Sequence, residues 1–166
     1  MLLLNSFTSN CQKYFLFIGT YTGSGSKGIY VYTFDASSGK ASRVNNTEGI
    51  INPSYLAIAP GSKYLYACTE TRTVDAGGVS AFGFDRKKGA LAFINKQSSG
   101  GDNPAYVSVH KSGKWVIAGN YSGGSLAAFV VNSNGSIKPY SQLVQHTGTS
   151  INKQRQESAH VHSTVF

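Results

Sequence analysis

The sequence predicts an all-β protein assembled from repeated four-stranded antiparallel sheets, and three observations carry that prediction. The first is composition: 19 Gly, 10 Tyr and 9 Phe stand against only 13% charged residues in a chain of 166. That charged share is about half the usual quarter, and the balance favours strands and tight turns over solvated helices. The second is internal repetition. NPSYLAIAPGSKYLYA at 52–67 aligns without gaps, 51 residues on, with NPAYVSVHKSGKWVIA at 103–118. GIYVYTFDASSG at 28–39 matches GVSAFGFDRKKG at 78–89 at an offset of 50, and GTYTG at 19–23 matches GNYSG at 119–123 at an offset of 100. The third is periodicity, since no stretch has a helical repeat and 29–34 carries large side chains on both faces of a strand. Four-stranded sheets recurring every 40 to 50 residues mark a β-propeller, whose blades pack face to face around a channel.

The elements follow in order. Residues 1–13 read as an N-terminal extension, apolar at first but without the basic start and apolar length of a secretory signal. The alternative is the remnant of a lipoprotein leader ending at Cys11, so the expected compartment is the cytoplasm, or the periplasm or a lipid anchor in that second case. Residues 14–51 form a partial blade whose opening strand, 15–20, is equivalent to the second strand 115–120, so its first strand is missing. Residues 52–102 form a blade with strands at 54–59, 64–69, 79–84 and 91–96, joined by Gly-bearing turns at 60–63 and 85–89. Residues 103–158 form the next blade, and 159–166 align with 52–59 as the first strand of another. A ring of four to eight blades is therefore incomplete, and unpaired sheet faces and edges favour aggregation or pairing with the missing blades.

Charge and cysteines narrow the function. Fifteen Lys and Arg against seven Asp and Glu give a formal +8, but the basic residues are scattered. Their one cluster, Arg86-Lys87-Lys88, falls in a turn between Asp85 and Gly89, so no nucleic-acid partner is expected. A basic surface still suits phosphorylated or carboxylated small molecules. No apolar run approaches the ~20 residues of a membrane span. Cys11 and Cys68 match no zinc or redox spacing, and Cys68, in an apolar strand, reads as a small buried hydrophobe.

Blade topology also assigns residues to a rim. Strands one and two are antiparallel neighbours, so the start of one and the end of the other share a rim. That rim collects Asn52, Asn103 and His160 with Tyr21, Glu70, Asn120 and Tyr121, and the connection 145–158 brings His146, Arg155, Gln156 and Glu157 to it. The basic cluster faces the opposite rim. His160 and His162, two apart on a strand, share a face with Cα atoms about 6.7 Å apart. They can serve as acid or base, as hydrogen-bonding braces between blades, or as metal ligands; no further ligand is evident at useful spacing, so no metal is expected.

The runs FIGTYTG at 17–23, NPSYLAI at 52–58, GNYSGG at 119–124 and RQESAHVH at 155–162 resemble the seven-bladed propeller lactonase family of bacterial 6-phosphogluconolactonases, which is related to a fungal carboxymuconate cycloisomerase. The Arg-Gln…His-x-His element is the most specific part. Ser158-Ala159 replace the family's usual Gly-Pro. The resemblance implies about three of seven blades, no cofactor, and hydrolysis of a sugar lactone, with or without phosphate, in the complete protein. It implies His160, His162 and Arg155 as catalytic residues and Gln156, Glu70, Tyr121, Asn120 and Tyr21 as substrate contacts. The isolated chain is expected to be inactive. A cycloisomerase and a non-catalytic binding scaffold are the competing functions, and the Arg155…His160-x-His162 element is what a pure scaffold would not need.

Overall fold

The computed structural model describes residues 13–23, 25–71, 73 and 77–166. Among them are eleven strands in three antiparallel sheets. The first sheet holds β1 (Lys13–Gly19), β2 (Ile29–Asp35) and β3 (Lys40–Thr47); the second holds β4 (Leu56–Ile58), β5 (Tyr64–Thr69), β6 (Gly78–Asp85) and β7 (Ala90–Ser98). The third holds β8 (Pro104–Val109), β9 (Trp115–Asn120), β10 (Ser125–Val130) and β11 (Gln142–Gln145). Each sheet is a meander in which sequence neighbours pair. The repeat extends to irregularities: a bulge at Val31/Tyr32 on β2 has its counterpart at Ala81/Phe82 on β6.

Turn chemistry repeats as well. The Asp35 carboxylate accepts from the Ser37 amide at 2.9 Å and the Asp85 carboxylate from the Lys87 amide at 2.8 Å. Each turn then closes through a glycine with positive φ, 70° at Gly39 and 60° at Gly89, where a side chain would strain the backbone. Arg86, Lys87 and Lys88 thus lie in an ordinary turn.

Period-2 alternation becomes two packing layers because the middle sheet is covered on both sides. On β5 and β6, Leu65, Ala67 and Phe82 face the first sheet and join Ile29 and Ile50. Tyr66, Cys68, Val79 and Ala81 face the third and join Val107, Val116, Ala118 and Phe129. Each large apolar side chain fully buried there contributes roughly 1.5–3 kcal/mol. Phe84 receives Phe15 and Phe17 edge-on, at centroid distances of 4.9 and 4.8 Å. Cys68 is fully buried, and burial pushes its thiol pKa up. Cys11 lies outside the described residues. On the other face of β1, Tyr14, Leu16 and Ile18 are 39–47% exposed.

Residues 159–166 lie beside β9 without forming a strand. Their register differs by one residue from the alignment with 52–59. A Cβ on Gly19 would meet the Pro53 carbonyl and Leu56, and a Cβ on the equivalent Gly119 would meet Val161 and Thr164. Val161 therefore stands where Pro53 stands, and His160 takes the place of Asn52. The missing side chain of the glycine lets the incoming backbone approach, and that approach sets the register. Sequence matching of eight residues could not resolve a one-residue slip.

Candidate functional site

The site is built where one sheet hands the chain to the next. Asn52 and Asn103 open their units in the left-handed region, with φ of 41° and 55°, a conformation that asparagine tolerates better than most residues. Their carbonyls accept from the amides at the ends of the second strands, Glu70 to Asn52 at 3.1 Å and Tyr121 to Asn103 at 2.9 Å. The Asn52 side chain then clasps two blades. Its Oδ1 accepts from the Thr22 amide at 2.9 Å and the Thr22 hydroxyl at 3.1 Å, while its Nδ2 donates to the Glu70 carbonyl at 3.0 Å.

His160, two units further round, likewise reaches back onto the preceding blade. Its Nδ1 lies 2.9 Å from the Tyr121 carbonyl oxygen, and its ring stacks on Tyr121 at 4.6 Å between centroids and 10° between planes. His162 meets the same tyrosine edge-on at 5.4 Å and 85°. The second nitrogen of His160, Nε2, faces the Glu157 carboxylate at 3.4 Å. Around this group lies an open cleft of about 360 Å³ lined by Tyr121, Ser122, Gln154, Arg155, Glu157 and His160. It combines a largely buried imidazole, a guanidinium and a carboxylate, a set suited to proton transfer beside a bound anion. A hollow of about 500 Å³ beside Tyr106, His110 and Phe166 has no Asp or Glu side chain in its lining.

The structure brings His160, His162, Arg155 and Tyr121 together and places the other expected contacts elsewhere. Tyr21 and Glu70 sit at the rim positions equivalent to Tyr121 on the two preceding units, and the Tyr21 hydroxyl donates to Glu70 at 2.8 Å. Gln156 turns back onto its own loop, its Oε1 accepting from the Asn152 amide at 3.1 Å. Asn120 is fully buried, and its amide donates to the Ser99 carbonyl and the Ser125 hydroxyl, both at 2.9 Å. Asn120 is buried away from the cleft and braces a loop behind the rim, while the exposed Gln156 holds a turn beside it. Glu157 was expected on this rim but given no part in the site, and Ser122 and Gln154 were not singled out in the sequence. The position of Glu157, three residues before His160 in the rim connection, was its one available signal. Among the described residues no group of three His, Cys, Asp or Glu is placed to hold a metal ion, and no helix is long and apolar enough to cross a membrane.

Repeated meanders packed face to face, with polar residues gathered at one rim, define a β-propeller. Residues 15–166 match the family model "Lactonase, 7-bladed beta-propeller", and the chain belongs to that family. It is 38% identical over 152 residues to a 6-phosphogluconolactonase of Formosa agariphila, covering 91% of this chain and 43% of that one. To a 6-phosphogluconolactonase of Bacillus subtilis it is 33% identical, covering 93% and 43%. Among solved structures, the periplasmic gluconolactonase of Pseudomonas aeruginosa superposes with a TM-score of 0.83 at 33% identity, covering 93% of this chain and 44% of that one. The chain thus spans less than half the length of these relatives.

Proposed function

We propose that this chain supplies the histidine-bearing part of a sugar-lactone hydrolase of the 6-phosphogluconolactonase kind. The observation that carries the reading is the cleft in which His160, stacked on Tyr121, stands with Arg155 and Glu157. Lactone opening needs a base for water and a positive group for the carbonyl oxygen. His160 or His162 is the base, and Arg155 binds the anionic part of the substrate or the developing oxyanion. Tyr121 offers its ring as a wall, and Glu70 and Tyr21 extend the polar rim beyond the cleft. Water is the only co-reactant, so no cofactor is required.

The test is replacement of His160 and His162, separately, by Ala in a chain completed to seven blades. Each change lowers lactone turnover by about 10² or more if that histidine is the base; near-normal turnover in both variants sinks the reading. A panel of phosphorylated and unphosphorylated lactones with carboxymuconate separates hydrolase from cycloisomerase, and turnover of none favours a binding scaffold. The panel bears on compartment too. A phosphorylated sugar does not cross a bilayer unaided, so strict dependence on phosphate places the protein in the cytoplasm, and preference for the neutral lactone favours the periplasm.

A further inference from the structure

His160 has an oxygen neighbour at each ring nitrogen, and the two neighbours serve different protonation states. The Tyr121 carbonyl can only accept, so the nitrogen 2.9 Å from it, Nδ1, carries the hydrogen. In the neutral ring the lone pair is then on Nε2, the nitrogen that faces the Glu157 carboxylate at 3.4 Å across the cleft wall. The near-parallel stack on Tyr121 opposes rotation of the ring. We propose that Glu157 is a positioning residue for His160: the Tyr121 carbonyl fixes the tautomer of the neutral ring, and Glu157 pairs with the ring and orients it once Nε2 has taken a proton. His160, not His162, is then the base, since His162 is exposed and meets Tyr121 only by a ring edge.

The chemical use of this arrangement rests on the lactonase reading. Water passes a proton to Nε2 while its oxygen bonds to the lactone carbonyl carbon. The ring C–O bond breaks, and the departing alkoxide recovers the proton from Nε2, leaving His160 and Glu157 as they began. The charged or titratable neighbours of His160 are Glu157 and Arg155 from the connection and Tyr121 from the end of β9, with His162 on the edge of the same tyrosine.

Nitrogen-15 NMR of this chain, with labelled imidazoles, reads the tautomer directly: His160 in its neutral form shows hydrogen on Nδ1, and hydrogen on Nε2 overturns the proposal. With the His160 ring protonated, the ring-current shift that Tyr121 imposes on its ring protons collapses towards the unstacked value in Glu157→Ala, and a protonated ring as fixed as in the parent overturns the role of Glu157. In a chain completed to seven blades, Glu157→Gln lowers kcat about fivefold, the scale of a half-exposed charge pair, with KM held within twofold. Glu157→Asp restores most of it. An unchanged kcat, or no rescue by Asp, counts against the proposal. If the completed parent turns over no lactone, the proposed function fails while the tautomer and ring-shift results still decide the inference.

Discussion

Asn52 is the residue through which blade assembly and the rim are most directly coupled. Replacing it by Ala removes three side-chain hydrogen bonds, two to Thr22 and one to the Glu70 carbonyl, and asks alanine to adopt φ of 41°. At about 0.5–1.5 kcal/mol per bond, and towards the lower end because the group is only part-buried, the bonds account for about 2 kcal/mol. The left-handed backbone adds about 1 kcal/mol for a residue with a Cβ, so Asn52→Ala is expected to cost about 3 kcal/mol. Asn52→Gly loses the same bonds but adopts the backbone freely. Set against its larger loss of chain entropy, glycine should recover about 0.5–1 kcal/mol of the alanine cost. Urea unfolding followed by tryptophan fluorescence measures both. A loss below about 1 kcal/mol in both variants refutes the clasp, and a glycine variant no more stable than the alanine variant refutes the backbone part.

Three further outcomes are expected. Burial pushes the Tyr66 hydroxyl up to about 12, and it donates to the Gly135 carbonyl at 3.1 Å. The folded state therefore holds its proton more tightly than the unfolded chain, so this contribution is intact below pH 10 and is lost as pH rises from there towards 12; Tyr66→Phe flattens that fall and costs about 1 kcal/mol at neutral pH, and an unchanged pH curve counts against it. Cys68, fully buried with its pKa raised, labels with a thiol reagent only at the rate of unfolding in a Cys11→Ser chain, and rapid labelling of Cys68 in that native chain contradicts the placement. Purified as it stands, the chain is expected to show at least a hundredfold less lactonase turnover than a seven-bladed completion, because its cleft is open and lined from one side of the rim; full turnover by the 166-residue chain refutes this.

Much of the architecture was legible because strands read each other locally. The second blade was expected at 64–69 and 79–84, and β5 and β6 fall at Tyr64–Thr69 and Gly78–Asp85, since alternating apolar residues between Gly-bearing turns leave one economical pairing. The gathering of His160, His162, Arg155 and Tyr121 was legible for the same reason, as topology alone puts strand-one starts beside strand-two ends. Side-chain direction was not legible. Asn120 and Gln156 look equally available in a sequence, yet Asn120 is drawn inward by Ser99 and Ser125 and the exposed Gln156 holds the Asn152 turn.

By itself the sequence determined the repeat, the antiparallel meanders and the rim that carries the histidines, because these depend on period and on short connections. Only the tertiary structure decided the register of residues 159–166, the stacking of His160 on Tyr121 and the approach of Glu157 to His160 Nε2. Those depend on how closely a backbone can approach Gly119 and on which acceptors stand in reach once blades have packed, and such distances arise between segments that the sequence keeps far apart.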